Sequence, residues 1–305
     1  MPTSPFQVYF PTKSQLTITI TEPLRDAAWA AYFGEIQYYL RNQTLEIFDP
    51  KLMEVVFDLS PCEWADPLPL LSIIIAIAEF QDAPNKTRIK LPAIKNSSLS
   101  TKRFLKYLAK ERFASQFLKF ASEVFDDDGL VTENHLENYE NLSTELAYVN
   151  STCIPAEIID AKSINIEDIV NDKIQYAESR LGADIPFWAR ENLCYRLKVL
   201  LRETLLNVKT HAYPHQNLCY AGFYVRYREG LTNKSKEVHK TMLEVLKKED
   251  NHLSCPLLPL SYLEERHGCF EVFVIDSGIG MSQSMRSVIR TNKGTVPGYP
   301  FRASS

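Results

Sequence analysis

The chain has 305 residues, 45% hydrophobic and 24% charged, with a formal net charge of −4. That length suits about two domains of ~150 residues, the composition is that of an ordinary globular protein, and the negative balance offers nucleic acid or an anionic membrane no bulk attraction. The longest apolar run, Leu68 to Ala78, is interrupted by Pro69 and Ser72 and falls well short of the ~20 residues that cross a bilayer.

Met1 to Phe10 shows no basic stretch followed by an apolar block, so no signal peptide is expected. The six cysteines (Cys62, Cys153, Cys194, Cys219, Cys255 and Cys269) contain no CxxC pair. They read as reduced thiols of a cytoplasmic protein.

Gln15 to Ile20 alternates and is rich in β-branched residues, which predicts a strand. Pro23 opens a helical pattern from Leu24 to Arg41, with Trp29, Phe33, Ile36 and Leu40 on one face. Met53 to Leu59 is a second strand, followed by a loop through Pro61 and Pro67. Leu68 to Glu79 is a buried helix and Thr87 to Leu91 a short strand. Ser100 to Val124 is predicted as one long helix with apolar Phe104, Leu108, Phe113, Phe117 and Phe120. Its other face carries Lys102, Arg103, Lys106 and Lys110, the usual look of a solvated surface. The order β-α-β-α-β-α argues an α/β fold with helices packed on a sheet.

Asp126 to Ser143 is acidic and polar and is expected to be a linker or surface excursion. The domain division is then 1–125, a linker over 126–145, and 146–305. In the second unit, a strand near Ala156 to Asp160, helices over Ile166 to Leu181 and Ala189 to His211, and strands over Asn217 to Arg228 and Phe270 to Asp276 are predicted. Asn233 to Asp250 is a Lys/Glu-rich helical insertion. Seven of the ten glycines follow residue 220, so the backbone that needs glycine is concentrated near the second unit's end.

Two short motifs carry the chemistry. Glu203, Asn207 and His211 are spaced four apart on the predicted helix and so share one face. An amide oxygen suits Mg²⁺, and a carboxylate one turn away can orient or deprotonate an attacking water. Alone, the triplet reads more readily as a solvated helix face. Val274 to Met281 is a strand running into Asp276-Ser277-Gly278-Ile279-Gly280. There a carboxylate can accept a hydrogen bond from an exocyclic amine, and two glycines allow a tight turn and close backbone approach. Alone, that run is equally a turn after an edge strand. His211 and His215 are also four apart, but Pro214 interrupts the helix between them.

In order, spacing and context the two motifs together resemble the GHKL (Bergerat-fold) ATP-binding family, which includes DNA gyrase, histidine kinases and anti-sigma serine kinases. Its N-box matches Glu203 and Asn207, its first glycine box matches Asp276 to Gly280, and the His211-Ala212-Tyr213-Pro214 ending looks most like the anti-sigma branch. The resemblance covers about residues 150 to 305 and implies ATP and Mg²⁺ as cofactors. It implies Glu203 as catalytic base, Asn207 as Mg²⁺ ligand, Asp276 as adenine reader, and His211, Gly278, Gly280 and Met281 as further nucleotide contacts. The family's second glycine box has no good match before Ser305; the nearest candidates are Asn292-Lys293-Gly294-Thr295 and Pro297-Gly298-Tyr299. The element that closes over the phosphates is thus expected to be degenerate or to lie outside this sequence.

Glu54 to Leu71, a strand ending Asp58-Leu59-Ser60, then a loop, then a Leu-rich helix, is similar to the STAS domain of anti-anti-sigma factors over residues 10 to 120. Pro67 stands where that family's phosphorylated serine would be, and proline has no hydroxyl to phosphorylate. The expected architecture is an N-terminal STAS-like α/β layer followed by a GHKL α/β sandwich. The expected function is Mg-dependent ATP hydrolysis or an ATP-driven regulatory switch acting on a protein partner or homodimer. An anti-sigma-type serine kinase and a non-catalytic nucleotide-binding module are the alternatives.

Overall fold

The computed structural model describes residues 6–12, 14–24, 54–81, 86–95, 97–142, 152–162, 165–180, 187–212, 220–228 and 269–276. Strands β1 (Phe6–Thr12), β2 (Gln15–Ile20), β3 (Glu54–Asp58), β4 (Lys86–Lys90), β5 (Glu123–Asp126) and β6 (Gly129–Leu130) form one sheet in sequence order. β2 to β5 are parallel, and β1 and β6 add antiparallel hairpins at the two edges. Helix α1 (Pro67–Gln81) links β3 to β4, and α2 (Leu99–Lys110) and α3 (Phe113–Phe120) link β4 to β5. These helical crossovers are what parallel pairing requires. The helix expected over 24–41 lies outside the described residues except Leu24, which makes an isolated bridge to Ala65.

Alternation in the strands divides the sheet's two faces. Leu16, Ile18, Ile20, Val55, Phe57, Ile89 and Val124 are buried on the helix-covered face. On the other face Arg88 pairs with Glu54 at 3.1 Å and with Glu123, and its guanidinium lies 4.4 Å from the Phe125 ring centre.

Helix α1 is apolar all round, and residues 70–78 are all buried. Such a helix must be covered on every side. Ser72 is accommodated because its hydroxyl donates to the Leu68 carbonyl at 2.7 Å. Cover comes from a second sheet, β7 (Thr152–Asp160), β8 (Tyr220–Arg228) and β9 (Cys269–Asp276), antiparallel throughout, with β8 central. α1 packs on β8 and β9. Ala156, Ile158 and Tyr224 enter the same buried cluster as the first sheet and its helices, with Tyr220, Phe273 and Ile275 against them. The opposite face of this sheet (Ile154, Ile159, Ala221, Phe223, Val225) packs on helices α5 (Ile166–Arg180) and α6 (Phe187–Asn207). The fold is therefore α/β, layered sheet, helices, sheet, helices.

β7, like β8, contributes to both cores because successive residues face opposite sides of a sheet covered on both; its register also slips, which puts Ile154 on the face opposite to Ala156 and Ile158. From Ile154 to Glu157 it advances three residues while β8 advances two, Val225 to Phe223. The bulge falls at Pro155, where a strand residue lacking an N–H is tolerated. The outer edge of β7 is closed by the first unit: the Ala156 amide donates to the Glu111 carbonyl at 3.0 Å and the Ile158 amide to Gln116 Oε1 at 3.1 Å.

Two segments differ from the sequence reading. The single helix expected from Ser100 to Val124 is two helices and the start of β5. Ser98 caps α2, its hydroxyl accepting from the Thr101 amide at 3.1 Å. The chain then turns at Arg112, whose φ is +63°, a left-handed conformation that ends a helix. The acidic stretch after Asp126 carries β6 and helix α4 (Glu133–Glu140). Asp126 Oδ1 accepts from the amides of Asp128 and Gly129 at 2.8 and 3.0 Å, and Gly129 takes φ +136° in that turn. Leu136 and Tyr139 of α4 are buried in the first core.

Burial, followed by the Asp126 carboxylate, raises the pKa of the Tyr139 phenol well above its ordinary 10.0. The sign follows from linkage. The folded state keeps this proton longer than the unfolded chain, so the contribution is complete below pH ~10 and is lost as pH rises above that value. Tyr139→Phe is expected to change neutral stability little, because its hydroxyl bond to Asp126 Oδ2 is a long 3.4 Å. It should flatten the alkaline decline in denaturant midpoint measured between neutral pH and pH ~11. An unchanged decline would show that Tyr139 is not its source.

Candidate functional site

Helix α6 buries a single narrow stripe, Cys194, Leu197, Leu201 and Leu205, continued by Val208. The spacing of three and four residues is that of one helix face. Glu203 and Asn207 are exposed on the other side, one turn apart. Thr204 bonds back to the Leu200 carbonyl at 2.8 Å. Regular α-helix ends at Asn207, and Val208–Ala212 is a wider π turn. His211 lies in that turn. The His211 side chain lies outside the described residues.

Glu203 is not solitary. Arg202 Nη1 lies 2.6 Å from its carboxylate, and Arg202 also pairs with Glu167 of α5. The two acids, Glu167 foremost, raise the Arg202 pKa above its usual value. This pairing of helices was not legible in the sequence, since Glu167 and Arg202 are 35 residues apart.

Asp276 is the last residue of β9, half-buried, opposite Ala221 of β8. Ala221 in turn pairs with Ile159 near the end of β7. Only residues 213–219 separate the π turn from Tyr220, the first residue of β8. Leu201 and Leu205 of α6 share a buried cluster with Val272 and Val274 of β9, whereas Glu203 and Asn207 lie on the exposed face of α6, away from that cluster. Gly278, Gly280 and Met281 lie outside the described residues. Asn207 and Glu203 carry hard oxygens of the kind Mg²⁺ takes, and Asp276 carries an acceptor for an amine. Among the described residues no group of three or more His, Cys, Asp or Glu is placed to hold a metal by itself.

In the first unit, Asp58 Oδ1 accepts from the Ser60 amide at 2.9 Å and from its hydroxyl at 2.6 Å. Cys62 and Ala65 are buried and Trp64 Nε1 donates to Asp66 Oδ1 at 2.9 Å. The loop before α1 is thus packed down, and Pro67 opens the helix without offering a hydroxyl. A groove of about 670 Å³ that the sequence did not signal lies at the N-terminal ends of β3, β4 and β5, lined by Glu54, Lys86, Arg88, Ser122, Glu123 and Thr132 among others. Its arginine is already neutralised by two carboxylates.

No protein-family model, no curated protein and no solved structure matches the chain. Among the described residues, no helix is long and apolar enough to cross a membrane.

Proposed function

We propose that this chain binds ATP with Mg²⁺ in the GHKL manner, in the second unit, and couples it to hydrolysis or to a regulatory change of shape. What supports the reading is the order and spacing of the two motifs in the sequence, together with the packing of α6, which carries Glu203 and Asn207, and β9, which ends at Asp276, into one buried cluster. Asp276 accepts a hydrogen bond from the base, Asn207 offers its amide oxygen to the cation, and Glu203 orients and deprotonates a water. Bound Mg²⁺ supplies neutralisation of phosphate charge. Glu203 acts as a base only after giving up Arg202, and this ion pair favours a second reading, a nucleotide-binding module without turnover.

Titration calorimetry with Mg-ATP separates the outcomes. Wild type is expected to bind and Asp276→Asn to bind at least about tenfold more weakly, ~1.4 kcal/mol. Glu203→Ala is expected to retain binding and lose any hydrolysis. Equal binding by Asp276→Asn, or none by wild type, refutes the pocket. Binding without turnover in wild type selects the second reading.

A further inference from the structure

Helix α4 is capped by Thr132, and the third helical position, where a capping box takes Glu or Gln, is held by His135. The Thr132 amide donates to His135 Nδ1 at 3.1 Å, and the Thr132 hydroxyl lies 2.9 Å from the same nitrogen. The His135 amide in turn donates to the Thr132 carbonyl at 2.9 Å. A ring nitrogen that accepts from an amide carries no proton, so the geometry requires the neutral ring with its hydrogen on Nε2. Glutamine keeps its acceptor oxygen at any pH. Imidazole loses this one when it takes up a proton, an event that falls at pH ~6.5 for histidine in water.

His135 is exposed and makes no other hydrogen bond or ion pair among the described residues. The residues three and four away along the chain are Val131, Thr132, Asn138 and Tyr139, none of them a carboxylate. Glu133, Glu137 and Glu140 are two or five away and so lie on other faces of the helix. α4 packs on α2 and α3, whose charged side chains are Lys102, Arg103, Lys106 and Lys110 on one and Lys119 on the other, all cationic. Of the acids before α4, Asp126 meets Tyr139 and Asp127 pairs with Lys90 at 2.8 Å. A proton on Nδ1 thus removes the acceptor, leaves the Thr132 amide to solvent and puts a positive charge where the helix dipole is already positive.

We propose that His135 is a pH-sensitive latch on α4: the neutral ring holds the first turn closed, and protonation releases it. The latch is engaged above the range in which imidazole titrates and is lost as pH falls through it. What it controls lies beside it. Val131 and Thr132 line the groove at the N-terminal ends of β3, β4 and β5, together with Arg88 and Glu123. Leu136 and Tyr139 anchor the rest of α4 in the first core, so release is confined to the turn from Thr132 to His135. It reshapes one wall of the groove without unfolding the unit. The inference does not depend on nucleotide binding.

Hydrogen exchange on the full chain tests this, read at the amides of His135, Leu136 and Glu137 and corrected for the intrinsic pH dependence of exchange. In wild type the protection of these amides is expected to fall at least about threefold between pH ~7.5 and pH ~5.5, as the loss of a cap requires. His135→Gln, whose amide oxygen accepts at both pH values, is expected to keep its protection constant. His135→Ala is expected to give the low value at both. Nitrogen NMR of isotopically labelled histidine in wild type, with His135 assigned by its absence from His135→Gln, is expected to show the Nε2–H tautomer at pH ~7.5. An Nδ1–H tautomer, wild-type protection that does not change with pH, an equal fall in His135→Gln, or wild-type behaviour in His135→Ala overturns the proposal.

Discussion

Gly222→Val is expected to be the most destabilising single substitution on the central strand of the second sheet. A Cβ at this position would lie 2.6 Å from Ile158 Cδ1, 3.2 Å from Ile75 Cδ1 of α1 and 3.3 Å from Ile275 Cγ2. The three neighbours come from β7, α1 and β9, so the new atom is crowded on three sides. Glycine leaves room here for the side-chain methyls of Ile158, Ile75 and Ile275, which any larger residue must push aside. Gly222→Ala must displace the Ile158 terminal methyl within a close-packed interior, at about 1–3 kcal/mol, and valine's two further methyls raise the cost above that range. Ile158→Val alone removes the nearest methyl and costs about 0.5–1.5 kcal/mol. Combined with Gly222→Ala it should recover part of the loss, a coupling that a double-mutant cycle in urea measures. A Gly222→Ala protein within about 0.5 kcal/mol of wild type would show that the Ile158 methyl gives way at little net cost.

Phe113→Ala is expected to cost about 3–5 kcal/mol, in the range of large buried aromatics. Phe113 is fully buried at the start of α3, 5.5 Å from the ring of Tyr107 on one side and 5.5 Å from that of Tyr224 on the other. Tyr107 stacks on Trp64 at 4.7 Å, and Tyr224 meets Phe273 at 5.9 Å. One line of aromatic contacts thus runs from the loop before α1 to β9, and Phe113 is its middle link. Because the first core includes β7 and β8 residues, the variant is expected to lower one transition common to both sheets. Tryptophan fluorescence and far-ultraviolet circular dichroism should stay coincident during unfolding. Two separated transitions, with only one moved by the substitution, would show that the sheets unfold independently.

The strength of local pattern decided what was legible. Gln15–Ile20 and Glu54–Asp58 announce themselves by β-branched alternation, and α1 by its unbroken apolar run. Composition shows that α1 is buried, but its place between two sheets depends on contacts with β8 and β9, far along the chain. β1 escaped notice because Pro11 and outward-facing Tyr9 and Phe10 blur its alternation. The break at Arg112 has no glycine or proline to mark it. The apolar spacing of Phe104, Leu108, Phe113 and Phe117 persists across it because both helices face one core. At the candidate site, the four-residue spacing of Glu203 and Asn207 was plain. The π turn that follows and the clasp of Arg202 on Glu167 belong to tertiary structure and leave no local trace.

The two bonds that seal β7 also set an order of events for a nascent chain. Gln116 leaves the ribosome 42 residues ahead of Ile158, and Glu111 precedes Ala156 by a similar interval. These amides point to the edge away from β8, so the elbow between α2 and α3 supplies acceptors that the sheet itself cannot. An unsealed strand is what recruits neighbouring chains into aggregates. Here two amides of that edge have acceptors on the elbow between α2 and α3, so the edge offers a neighbouring chain less to pair with.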